Sequence, residues 1–216
     1  MPDTDPTNDD PAVTEYILKR ADRAGLARVY PVGALSNGLE GEAMAEIGEM
    51  VAAGAVAISD CNRPVANAQL FRRALEYARS FDVPVAVHEE DLALSDGGSM
   101  HEGPVSTRIG LRGIPSTAEE VMVARDVLLA ELTGGRLHLC HLSTTIGLDL
   151  VRVAKRRNLA VSCEVAAHQF VLTDEDVAGA SYDPNWKTNP PLRSGAEVES
   201  ILQAVYDGTV DAIVSD

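Results

Sequence analysis

Two histidines and an aspartate carry the strongest chemical signal in this sequence. His88, His141 and Asp216 each close a different short apolar run of the kind that forms a strand. Imidazole nitrogens and a carboxylate meeting on one rim are suitable ligands for zinc or a similar divalent ion. A single strand-end histidine is most often a loop-packing residue, but three such residues on three strands favour a shared cation. Their surroundings agree: His88-Glu89-Glu90-Asp91 adds three carboxylates, and His141-Leu142-Ser143-Thr144 runs directly into a helix cap. Other candidates are weaker. His138 and Cys140 share the strand face opposite His141, toward the helices, and read as core residues. His101 lies in a glycine-containing loop and reads as solvated. Tyr182 and Trp186 either pin a long loop or meet a ligand.

The elements that must position these residues follow from periodicity. Apolar runs at residues 27–33, 55–59, 83–88, 136–141, 160–165 and 211–215 predict six strands. Amphipathic stretches at residues 12–24, 42–53, 67–80, 117–133, 144–157 and 196–206 predict the helices between them. Asp10-Pro11 opens the first helix, while Ser116…Glu119 and Ser194…Glu197 have capping-box spacing. Gly25, Gly54, Gly134-Gly135 and Gly208 mark helix exits.

Parallel strands joined by helices bury both sheet faces, in an open doubly wound sheet or a closed barrel. The strands alternate small with branched residues: Ala55, Ala57 and Ser59 against Val56 and Ile58, then Pro84, Ala86 and His88 against Val83, Val85 and Val87. That pattern suits a tight lumen backed by helices. With no glycine-rich phosphate turn present, the favoured fold is α/β, a (β/α)8 barrel; six strands leave two of its eight unaccounted for, so either the segment is incomplete or the sheet is open. Two long connections, residues 89–116 and 166–194, follow C-terminal strand ends, the rim where barrels bind ligands.

Composition narrows the partners. The 216 residues have a net charge of −15, with 45% hydrophobic and 24% charged side chains, which is globular and poorly matched to nucleic acid. No run approaches the ~20 apolar residues of a membrane helix, and the start lacks the regions of a signal peptide, so a cytoplasmic location is expected. Cys61, Cys140 and Cys163 fit no disulfide or zinc-knuckle framework and read as reduced thiols. Only the first ten residues, with four Asp and two Pro, read as a tail.

The strings Pro31-Val32-Gly33-Ala34-Leu35, His88-Glu89-Glu90-Asp91, Gly110-Leu111-Arg112-Gly113-Ile114-Pro115, His141-Leu142-Ser143-Thr144, Asn189-Pro190-Pro191-Leu192-Arg193 and Ile213-Val214-Ser215-Asp216 resemble, in order and spacing, the type I dihydroorotases of the amidohydrolase superfamily. The resemblance implies a metal-dependent (β/α)8 barrel that reversibly closes N-carbamoyl-L-aspartate to dihydroorotate in pyrimidine synthesis. It also implies that residues 1–216 form a single incomplete barrel domain, strands three to eight, because the family's His-x-His-Leu-Arg strand would precede Met1-Pro2-Asp3-Thr4. The 216 residues alone are therefore expected to be inactive.

Carried over by position, His88 and His141 resemble ligands of one metal ion. Asp216 resembles the ligand of another and the general base, and Asn189 a residue that contacts the pyrimidine ring. One or two Zn2+ ions are implied, activating water and polarising the ring amide while Asp216 moves the proton. Two positions depart from the family. Its Asp-Asp-Gly motif reads Asp60-Cys61-Asn62, placing Cys61 at the bridging-ligand position, and strand parity agrees, since Cys61 continues the small face. A zinc-bound thiolate and an inert small residue both remain open there. Asp3 stands where the family has a substrate-binding Asn, setting a carboxylate against the substrate's own. His168 matches the first of two consecutive family histidines, and Gln169 replaces the second. The rival readings are an inactive scaffold for aspartate transcarbamoylase, as some family members are, and another cyclic amidase of the hydantoinase or allantoinase type. A homo-oligomer is expected.

Overall fold

The computed structural model describes residues 1–215; Asp216, the expected general base and metal ligand, lies outside the described residues. In chain order the elements are helix α1 (Pro11–Ala24), strand β1 (Val32–Gly33), α2 (Ile47–Ala53), β2 (Ala57–Ile58), α3 (Ala68–Arg79), β3 (Val85–Val87), α4 (Leu92–Ser95), β4 (Met100–His101) and α5 (Pro104–Ile109). There follow β5 (Gly113–Ile114), α6 (Thr117–Thr133), β6 (Leu137–Leu139), α7 (Thr145–Arg156), β7 (Val161–Ala166), α8 (Asp174–Gly179), α9 (Gly195–Tyr206) and β8 (Ala212–Val214). Every predicted strand and helix has its counterpart. The strands are shorter than expected where the chain turns out of the ladder: Cys61 and His141 both adopt positive φ, 55° and 37°.

The chain divides into two compact units, residues 1–88 with 128–138, and residues 89–127 with 139 onward. In the first, β1, β2 and β3 pair in parallel, with Val32 opposite Ala57, Gly33 opposite Ile58 and Ile58 opposite Val85. The Val85 N–H donates to the Arg136 carbonyl, adding the start of β6 to that order. Ile58 and Val85 are fully buried with Met50 of α2 and Phe71 and Leu75 of α3, whereas Ala57 and Ala86 on the other face are only half-buried. Burial does not follow the alternation throughout, since branched Val56 is exposed while Ala55 and Ser59 of the small face are buried. Close approach demands Gly33, where a Cβ would stand 2.8 Å from the Met50 sulfur.

The first ten residues are not a tail. Asn8 is fully buried; its Nδ2 donates to the Val32 carbonyl (2.8 Å) and its Oδ1 accepts from Thr14 Oγ1 (2.7 Å). The Ala34 N–H donates to the Asn8 carbonyl at 2.8 Å. Asp10 then caps α1, accepting from the N–H groups of Ala12 and Val13, and Gly25 ends it at φ 61°. The polar composition of this segment concealed an amide whose every polar atom finds a partner in β1 or α1.

In the second unit β7 pairs in parallel with β8, Glu164 opposite Ala212 and Ala166 opposite Val214, and the Leu142 N–H donates to the Glu164 carbonyl. Leu139, Leu142, Leu148, Leu192 and Ile201 are buried at its centre. Residues 89–116 are not a plain loop. They hold α4, α5 and a small parallel sheet of β4 and β5, with Met100 opposite Gly113 and His101 opposite Ile114. Strands of two residues have no periodicity to read. No helix among the described residues is long and apolar enough to cross a membrane.

Candidate functional site

In the first unit the chain brings Cys61 to Asp3. Asp60, at the end of β2, points inward and accepts the Leu35 and Ser36 N–H groups at 2.8 and 2.9 Å, together with the Ser36 hydroxyl. Cys61 turns the other way at positive φ, its N–H donating to Ser59 Oγ at 3.0 Å. The Cys61 sulfur then lies 3.6 Å from Asp3 Oδ1 and 3.9 Å from the Met1 sulfur. Burial, aided by the Asp3 charge, pushes the thiol up to about 11, so without a cation it stays protonated and donates to Asp3. His88, the residue after β3, is buried in the same unit.

A thiol and a carboxylate are donor types that zinc accepts. Zinc bonds of ~2.3 Å to sulfur and ~2.1 Å to oxygen, at a tetrahedral angle, separate the two donor atoms by roughly 3.6 Å. The Cys61 sulfur and Asp3 oxygen stand 3.6 Å apart. Asp3, expected to meet substrate, is therefore turned toward the thiol.

In the second unit His141 is buried at φ 37°, and its carbonyl accepts from Gln169 Nε2 at 2.7 Å. Ser143 and Thr144, two and three residues on, are held by Glu119. Its carboxylate accepts the Ser143 N–H (3.0 Å), the Thr144 N–H (3.0 Å), Thr144 Oγ1 (2.8 Å) and the Ser143 hydroxyl. Arg193, buried beside it, donates from Nε to Ser143 Oγ at 2.9 Å and lies 3.5 Å from Glu119 Oε2. The Thr145 N–H and hydroxyl donate to Glu197. Two carboxylates thus face the N-terminus of α7, where its dipole favours negative charge. Each has the capping-box spacing of its own helix, yet each reaches across the unit to the turn after His141. Ser-x-x-Glu spacing does not distinguish a glutamate that folds back from one that extends away.

Asn189 donates from Nδ2 to Glu90 Oε2 at 3.0 Å, which sets it beside one of the carboxylates that follow His88 in sequence. Glu89 is buried, and burial with the charge of Asp126 pushes its carboxyl well above the ordinary range. Burial also raises Asp126, to about 6, against the pull of Arg125, whose Nε donates to it at 2.6 Å.

Several weaker expectations change. His101 is half-buried in β4, its Nδ1 3.4 Å from Arg193 Nη1, and burial followed by the Arg193 charge lowers its pKa. Leu137 and Leu139 are the fully buried residues of β6, which leaves His138 and Cys140 on its less covered face. The Cys140 sulfur and a Glu164 carboxylate oxygen lie within 4.8 Å. Tyr182 pins its loop, donating to the Ile109 carbonyl at 2.8 Å. His168 sits half-buried in the 3-10 turn Ala167–Phe170. Sequence reasoning met Glu119 as a capping-box residue, Gln169 as the replacement of a family histidine and Arg193 within a shared string, and gave none of them this role.

Comparison with known proteins adds the context. A family model described as "Dihydro-orotase-like" matches residues 1–146. Proteins named dihydroorotase from Anaeromyxobacter dehalogenans and Syntrophobacter fumaroxidans are 57% and 56% identical over all 216 residues, covering 50% and 49% of their own lengths. The chain spans about half the length of these curated relatives. Among solved structures, an L-hydantoinase (dihydropyrimidinase) from Arthrobacter aurescens matches the whole chain and 49% of its own, with TM-score 0.80 at 20% identity. A dihydroorotase from Campylobacter jejuni matches the whole chain and 60% of its own, with TM-score 0.73 at 15% identity. The fold is that of the α/β barrel hydrolases, of which this chain holds six strands.

Proposed function

The chain belongs to the dihydro-orotase-like family, and from that premise we propose that it is part of a dihydroorotase, a metal-dependent hydrolase that reversibly closes N-carbamoyl-L-aspartate to dihydroorotate. Identity of 50–57% to dihydroorotases along the whole chain supports the reaction. The observation behind Cys61 as a ligand is a half-buried thiol with a carboxylate oxygen beside it, donor types that zinc accepts. The proposed ligands are Cys61, His88, His141 and Asp216, holding one or two Zn2+ ions. When bound, the cation polarises the amide carbonyl and makes water a nucleophile at neutral pH. Asp216 moves the proton to the ring nitrogen, and Asn189, oriented by Glu90, contacts the ring. Asp3 was assigned to the substrate. With its carboxylate engaged by the Cys61 sulfur, less of its charge opposes the substrate's carboxylate. The same reading takes residues 1–216 as one incomplete barrel domain of a cytoplasmic homo-oligomer. The exposed Tyr16, Leu26 and Tyr30 of the first unit are suited to association.

The test is metal content and ring closure in the full-length protein. Wild type is expected to retain zinc after dialysis and to close N-carbamoyl-L-aspartate, and Cys61→Ser to retain less zinc. Equal zinc in both would remove Cys61 from the ligand set. A zinc-loaded wild type that opens hydantoins but leaves dihydroorotate untouched would reject the proposed substrate.

A further inference from the structure

The proposed chemistry assigns no task to Gln169, yet this side chain is buried directly behind His141. Its two amide atoms are both engaged: Nε2 donates to the His141 carbonyl at 2.7 Å, and Oε1 accepts the Ala166 N–H at 2.7 Å. The carbonyl can only accept and the N–H can only donate, so the amide's orientation is fixed by its partners. On the other side of the same peptide plane, the Leu142 N–H donates to the Glu164 carbonyl at 3.0 Å. The peptide between His141 and Leu142 is thus held at both its oxygen and its nitrogen. That matters because His141 has φ 37°, a left-handed backbone that residues bearing a Cβ keep only where their surroundings enforce it.

We propose that Gln169 is a positioning residue that locks the His141–Leu142 peptide, and with it the left-handed turn from which the His141 imidazole is presented to the metal. The proposal rests on the reading of His141 as a ligand. Glu119 and Arg193 act further along, on Ser143 and Thr144, whereas Gln169 bonds the His141 carbonyl itself. Glutamine suits the place because it offers one donor and one acceptor. A glutamate would turn an oxygen toward the His141 carbonyl, and a methionine of similar length would leave both backbone groups unpaired.

The test uses the full-length protein, with Zn2+ affinity measured by chelator competition and the visible spectrum of the Co2+-substituted form. Gln169→Glu keeps the acceptor for Ala166 and removes the donor to His141. It is expected to weaken Zn2+ binding by about 10- to 100-fold, as loss of a residue that orients a ligand does, and to shift the Co2+ bands. A role confined to stability would lower the unfolding midpoint of the metal-free protein and leave affinity and spectrum unchanged, which would overturn the proposal. Should Gln169→Glu not fold, Gln169→Met is read against the same criteria. His141→Ala separates the two readings. If it binds Zn2+ as wild type does, His141 is no ligand and both readings fail. If it loses Zn2+ while the folded Gln169 variant keeps wild-type affinity, only the role of Gln169 is refuted.

Discussion

Replacing Glu119 with glutamine tests how the turn after His141 is held. The side chains of Glu119 and Arg193 are 4% and 2% exposed, so their pairing is shielded from water. In Glu119→Gln the remaining oxygen, placed at Oε1, keeps the two Thr144 donors and the Ser143 N–H. The new NH2 replaces Oε2, where it faces the Ser143 hydroxyl and the Arg193 guanidinium. Arg193 retains its bond to Ser143 Oγ but, still buried, loses the carboxylate oxygen it faces at 3.5 Å. Removing one partner of a buried pair costs ~3–5 kcal/mol; with most acceptor contacts preserved, the lower end, about 3 kcal/mol, is expected. Arg193→Met should cost less, about 1–2 kcal/mol, because Glu119 keeps its backbone and hydroxyl donors. The assay is equilibrium urea unfolding of both variants and the double variant. Glu119→Gln is expected to be the worse single change, and the double variant to be less destabilised than the sum. A cost below about 1 kcal/mol for Glu119→Gln, or additivity within about 0.5 kcal/mol, would refute the reasoning.

In the first unit, Asp60→Asn keeps an oxygen for the Leu35 and Ser36 N–H groups, whereas Asp60→Ala strands both; the expected costs are about 1 and about 3 kcal/mol by thermal unfolding. Equal costs would show that the bonds hold nothing. Asp126 supplies a pH dependence. Its carboxyl is raised to about 6 by burial, so it favours the folded state fully below its unfolded value near 3.8 and loses that contribution as pH rises through 6. The stability advantage of wild type over Asp126→Asn should therefore shrink between pH 4 and pH 7 in chemical denaturation. An advantage that grows over that range would contradict the assignment.

The barrel strands were legible because each is a short apolar run between amphipathic stretches, and a strand lies at every run. The helix starts at Asp10 and Asn67 were legible because capping is local chemistry, settled within three residues. What failed was whatever depends on distant residues. The N-terminal segment has a tail's composition but is held by Asn8 against Val32, a contact 24 residues away. Glu119 has the spacing of a cap and serves a turn 24 residues on. His88, Cys61 and His141 were found as strand ends, yet the positive φ that directs Cys61 toward Asp3 has no signature in a residue with a side chain.

Both units solve the same problem with the same device. A loop leaving the C-terminal end of a parallel strand exposes N–H groups that the ladder no longer uses, and burying them unpaired is costly. Asp60 takes the N–H groups and the hydroxyl of the turn after β1, at Leu35 and Ser36; Glu119 takes those of the turn after β6, at Ser143 and Thr144. In each case a buried carboxylate accepts two consecutive backbone amides and a serine hydroxyl. A carboxylate is the side chain that can receive so many donors at once. The cost of burying its charge is offset by those bonds, and at Glu119 by Arg193 as well. Such a carboxylate is engaged by a turn distant in sequence: Asp60 faces Leu35 and Ser36 while Cys61, one residue later, turns toward Asp3. Asp60 and Glu119 are thus each buried and paired to backbone within their own unit, while Asp3 is exposed.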